Sequence, residues 1–221
     1  MNTQTHESGQ YTRPLIAFLI AVPLAWAVLL VFHGAGPGAD GVYASLRDEA
    51  DTWMLVHVGT LVFIGLMGVA LWLLVRDLPG TAARISRLAI GPFVLFYGAG
   101  EALLGVATGA LVQHANDVGA DQRPAAANAA QGLWDDFIAS DLLIGLGTVA
   151  WIVAAIAAAV AYHRLGASLA VTVLLGLSAV VCVHAPPFGP FGLVCFAVAA
   201  ALVVQRAPGA QAARVVRTAV P

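Results

Sequence analysis

"VLFYGAGEALLGVATGALVQH", residues 94–114, is an apolar run with one carboxylate, Glu101, inside it. About 20 apolar residues suffice for a helix to cross a hydrocarbon layer. Reading the run as such a helix decides the fold, because five more apolar runs accompany it. The six fall at about 14–33, 53–76, 87–113, 136–162, 168–184 and 190–205, the last two being short.

Composition leads to the same class. Of 221 residues, 60% are hydrophobic and 10% charged, against roughly 25% charged in soluble domains. The expected fold is all-α: a polytopic membrane bundle of six transmembrane helices. Residues 14–205 form the membrane domain, between cytoplasmic tails at 1–13 and 206–221. The first run is too long for a signal-peptide h-region and is expected to be retained. Net charge is −2, with no basic stripe, so nucleic acid is not an expected partner. All ten basic residues are arginine, and Ala, Gly and Val abound. That suggests a GC-rich bacterial genome and a multi-pass protein of the cell membrane.

The arginines set the orientation, since cytoplasmic loops collect basic residues. Arg13, Arg76, Arg84, Arg87, Arg164, Arg206, Arg214 and Arg217 fall on one side, and Arg47 and Arg123 on the other. Both termini are therefore expected inside, leaving longer outer loops at 34–52 and 114–135. Spans one to three and four to six do not match in their polar positions. That weakens the case for an inverted-repeat transporter.

With this topology the awkward residues gather in the outer half. Trp53 opens span two, and His57 lies four residues on, on the same helix face. Trp134, Asp135 and Asp136 open span four, with Asp141 deeper. His33, His114 and His184 end spans at the outer surface, where interfacial solvation accounts for them. Glu101 is deepest, about 18 Å from the outer end of span three at 1.5 Å per residue. Tyr97, Gly105 and Thr108 share its helix face, and Gly98, Gly105 and Gly109 permit close approach. A charge at the bilayer centre costs from about 2.5 to more than about 10 kcal/mol, so this face turns inward.

Each residue has a plain reading beside a functional one. Glu101 is either a neutral acid bonded to a neighbour, or a proton donor made possible by that neutrality. His57 either bonds a backbone carbonyl or tunes a carboxylate. Asp135 and Asp136 suit a helix N-terminus, where anions are favoured. Cys182 and Cys195 read as buried small hydrophobes. No CxxC spacing or other metal motif is present, so neither a metal nor a cofactor is expected. "HAPPFGPFG", 184–192, is a rigid turn whose Phe188 and Phe191 are able to floor a pocket.

Three function classes fit. An enzyme on a hydrophobic substrate would use the buried acids among aromatic faces, which attract carbocations. No DDxxD-type motif is present, so protonation rather than diphosphate ionisation would start the reaction. An electron carrier would hold haem b between two inward imidazoles. A proton-coupled transporter would use Glu101 as its coupling site.

The isolated intramembrane acids of "YGAGEALLG" and "WDDFIASDLLIG" give the chain a layout that resembles the bacterial integral membrane terpene cyclases. The turn "HAPPFGP" is also similar to that of unannotated actinobacterial membrane proteins. The first resemblance implies metal-independent, acid-initiated cyclisation of a prenyl substrate. It implies Glu101 or Asp141 as the acid, supported by His57 and the aromatic residues. Tyr97, Trp53, Thr108, Asp136 and Phe188 are the substrate-contact candidates. The expected partners are a hydrophobic small molecule and membrane lipid.

Overall fold

Pro14 sits in the first turn of helix α1, Arg13–Leu30, where its missing N–H costs nothing. The computed structural model describes residues 12–218, with side chains described to residue 205. Of the expected tails, 1–11 and 219–221 lie outside what is described, whereas 206–218 continue the last helix of the chain. All regular structure among the described residues is helical. After α1 come the short α2, Val42–Leu46, and then α3, Ala50–Val75. Two long helical stretches follow, α4 at Thr81–Asp117 and α5 at Arg123–Arg164. The chain ends in α6, Leu169–Cys182, and α7, Phe188–Thr218.

Among the described residues, five helices are long and apolar enough to cross a membrane: α1, α3, α4, α5 and the Phe188–Gln205 part of α7. The fifth expected span is shorter. The 14 residues of α6 rise about 21 Å at 1.5 Å each, against a hydrocarbon core of about 30 Å. The loop expected at 114–135 is largely helical, and that at 34–52 is helical in part. They contain α2, the end of α4 and the first turns of α5. These segments form a small second core, in which Val42, Leu46, Trp53, Val112 and Ala130 are buried together. The Gln131 side chain ties it to α2 by accepting from the Val42 N–H at 2.9 Å.

The main core lies along the helix axes. Trp26, Phe93, Trp151 and Phe196 are fully buried among leucines and alanines. On α5, Ala150, Ala154, Ala155, Ala158 and Ala159 are buried. Such a small-residue seam lets backbones approach closely where lipid offers no hydrophobic drive between helices. The polar groups in this core are paired. Trp151 Nε1 donates to the Ser178 carbonyl at 3.0 Å, Tyr162 Oη to the Leu74 carbonyl at 2.7 Å, and Ser86 Oγ to the Ala154 carbonyl at 2.8 Å. Large apolar side chains such as Leu55, Leu88, Leu95 and Val149 point outward and are mostly exposed. A surface of this kind suits acyl chains rather than water.

Candidate functional site

One end of the bundle, where α1 finishes and α3 begins, collects the polar side chains. Trp53 and His57 stand one turn apart at the start of α3, and Tyr97 and Glu101 one turn apart in the middle of α4. The chain leaving α1 brings His33 over them. The turn between α6 and α7 brings His184, because Gly189 in the first turn of α7 lets the His184 carbonyl lie directly against it. A side chain at 189 would collide with that carbonyl.

The helices are locally rewound here. Phe93–Tyr97 and Ala102–Ala107 on α4, and Ile138–Leu143 on α5, are π-helical. Such segments are rare and concentrate at functional sites. Glu101 ends the four-residue α-helical piece between the first two. Gly105 lies in the second, with the His57 ring packed on its Cα. Its carbonyl accepts from Trp53 Nε1 at 2.8 Å.

These residues line a cavity of about 340 Å³, near the lower end of the 300–1,000 Å³ range of small-molecule pockets. Its polar end holds His33, His57, His184, Tyr97 and Glu101. Trp53, Trp134, Leu104 and Ile144 supply apolar walls, and the 35–37 loop borders it.

Glu101 is 2% exposed. Its Oε1 is 3.5 Å from His184 Nδ1 and its Oε2 is 3.8 Å from His57 Nε2. Both separations exceed hydrogen-bond length. Oε2 is a buried side-chain atom with no hydrogen-bond partner, and leaving such an atom unpaired costs about 1–3 kcal/mol or more.

The three imidazoles share one pattern. Nδ1 of His33 meets the Gly34 carbonyl at 2.6 Å, and Nδ1 of His57 meets the Trp53 carbonyl at 2.7 Å. Carbonyls only accept, so both Nδ1 atoms carry the proton. Nδ1 of His184 lies 3.0 Å from Tyr97 Oη, whose own proton goes to the Cys182 carbonyl at 3.0 Å. This assigns the third proton to His184 Nδ1 as well, a tautomer inferred from the network. His33 Nε2 and His184 Nε2 then face each other at 3.0 Å. One ring nitrogen from each of His33, His57 and His184 lies within 4.8 Å of the others, a spacing able to hold a metal ion.

The candidates read from the sequence divide. Glu101, His57, Tyr97 and Trp53 meet around the cavity, whereas Asp141, Thr108, Asp136 and Phe188 do not line it. Asp141 is exposed, with Oδ2 accepting from Ser140 Oγ at 3.1 Å. Asp136 Oδ1 accepts from the Ala139 N–H at 3.0 Å, at the start of a helical segment. Thr108 is buried, its hydroxyl donating to the Leu103 carbonyl at 3.3 Å. Phe188 is 55% exposed.

His33 and His184 were read as interfacial end-of-span residues, yet both belong to the site. The signal in the sequence was coarse: both fall at the same end of the bundle as His57, but so does the exposed His114. His114 and His163 are exposed.

Gly105→Ala is expected to force the His57 ring off α4. Overpacking of this kind costs about 1–3 kcal/mol, read as a lowered thermal unfolding midpoint in detergent. An unchanged midpoint would mean that α3 and α4 part easily at this level.

No family model matches the chain, and neither a curated protein nor a solved structure matches it.

Proposed function

We propose that the protein is a six-span enzyme of a bacterial cell membrane, with both termini inside, whose reactive group is Glu101. The observation carrying this reading is the unpartnered Glu101 Oε2, buried beside a cavity with aromatic walls. A carboxyl group kept out of water favours its neutral form, and a neutral acid has a proton to give. Eight of the ten arginines fall around the chain segments at the opposite end of the helices from the cavity, and Arg47 and Arg123 at the cavity end. By the basic-residue rule that end is inside, so the cavity opens in the outer half.

The reaction class is proton transfer to an apolar substrate. In its finer form the substrate is a prenyl group. The Glu101 O–H bond breaks, and the proton joins an alkene carbon or epoxide oxygen. The carbocation closes a ring, and loss of a C–H proton to the emptied carboxylate restores the acid. The net change is an isomerisation. Trp53, Trp134 and Tyr97 present rings to the cavity, and ring faces stabilise cations. The cavity volume suits the reacting end of a substrate whose remainder lies among the helices. A haem between facing imidazoles is less compatible with this geometry, because His33 and His184 touch at 3.0 Å and leave no slot for a porphyrin.

The test is identification by mass spectrometry of what co-purifies with the protein in mild detergent. A terpenoid or prenylated molecule is the expected result. Haem in stoichiometric amount would overturn the reading and move the histidines to an electron-transfer role.

A further inference from the structure

The geometry points to a transition-metal site formed by His33, His57 and His184, with a first-row divalent cation of the zinc class bound through their three Nε2 atoms. This inference stands on the imidazoles and not on the reaction proposed for Glu101. It also departs from the absence of a metal expected from the sequence.

The first argument is the direction of the lone pairs. All three Nδ1 atoms are engaged: His33 with the Gly34 carbonyl, His57 with the Trp53 carbonyl, and His184 with Tyr97 Oη. Metal-bound histidines typically donate their other N–H to just such groups, which fixes the tautomer and turns the free nitrogen to the metal. Three histidines from three separate chain segments meet this condition at once. The consequence is three acceptor nitrogens converging with no donor among them.

The second argument is that in the present geometry no hydrogen bond reaches His57 Nε2. A proton shared between His33 Nε2 and His184 Nε2 would explain their 3.0 Å contact. It would leave His57 Nε2 with only Glu101 Oε2, 3.8 Å away and itself without a partner. A protonated Glu101 would have to close the 3.8 Å gap to bond His57 Nε2, and would then satisfy that one nitrogen only. A cation at the centre satisfies all three nitrogens together.

The third argument is size. A zinc–nitrogen bond of about 2.1 Å sets tetrahedral ligands about 3.4 Å apart. The Nε2 atoms of His33 and His184 are 3.0 Å apart, and one ring nitrogen from each of the three histidines lies within 4.8 Å of the others. Closing on an ion takes side-chain shifts of about an ångström or less. The set is entirely imidazole, which suits Zn²⁺, Co²⁺, Cu²⁺, Ni²⁺ or Fe²⁺ over Mg²⁺ or Ca²⁺. Three protein ligands leave a fourth position, and an open position is the mark of a catalytic rather than a structural zinc site. The three histidines line the same cavity as Glu101.

The test uses the full chain, purified in detergent, stripped with a chelator and titrated with Co²⁺. The expected result is about one ion per chain, with the intense visible bands of a four-coordinate nitrogen–oxygen site. His57→Ala and His184→Ala are each expected to weaken binding by more than 100-fold. Tyr97→Phe, which removes the partner of His184 Nδ1 together with the donor to the Cys182 carbonyl, should weaken it about 10- to 100-fold. His114→Ala and His163→Ala should leave it unchanged. Glu101→Gln should keep the ion, so loss of turnover in that variant speaks to the acid and not to the metal.

Absence of the visible bands in wild type would overturn the assignment. So would binding that survives His57→Ala with His184→Ala, or that vanishes with His114→Ala and His163→Ala. If the cavity variants do not fold, the wild-type spectrum and the two exposed-histidine variants still decide.

Discussion

Glu101→Gln is expected to lower turnover of the co-purifying substrate by at least about 100-fold, the smaller end of what a positioned general acid contributes. Glutamine keeps the shape of the side chain and its neutrality, so nothing charged is added to the membrane interior. What it removes is the acidic proton. The fold should be untouched, and the thermal midpoint in detergent should stay within a degree or two. The informative comparison is Asp141→Asn. Asp141 is exposed and engaged by Ser140 outside the cavity, so its loss should leave turnover near wild type. Full activity in Glu101→Gln would remove that residue from the chemistry. Activity lost in Asp141→Asn alone would move the reactive acid to α5.

Trp151→Ala is expected to cost about 3–5 kcal/mol, the range for emptying a large aromatic from a packed interior. Trp151 is fully buried, with its ring centroid 4.7 Å from that of Phe93 and 6.3 Å from that of Phe196. It ties α4, α5 and α7 together. Its Nε1 also donates to the Ser178 carbonyl at 3.0 Å, a hydrogen bond the substitution removes. Between helices in lipid the loss is one of packing and hydrogen bonding rather than of hydrophobic burial. Denaturant unfolding in mixed micelles reads the difference. A loss below about 1 kcal/mol would show that neighbouring leucines collapse into the space.

These two residues illustrate different degrees of legibility. Glu101 stands out in the linear sequence because a carboxylate within an apolar run is costly wherever the run packs. Trp151 is one tryptophan among five in apolar surroundings, and nothing in the sequence separates it from Trp72, which is 44% exposed.

The sequence by itself determined the helical class, because 60% hydrophobic content leaves few other folds for these runs. It also determined that polar side chains collect at one end, since depth along a helix follows from counting residues. Tyr97, Glu101 and Gly105 were legible as one face from their spacing of four. Thr108 was placed on that face by the same counting and does not line the cavity. The π-helical turns at Ala102–Ala107 intervene, and they replace the 3.6-residue period on which the counting rests.

Only the tertiary structure decided which end-of-span residues meet. His33 and His184 are 151 positions apart, and no local pattern links them. They come together because the chain after α1 and the turn held by Gly189 both fold over α3. The physical reason is general: periodicity fixes depth and face within one helix, whereas contact between helices depends on packing order, which single-residue spacing does not encode.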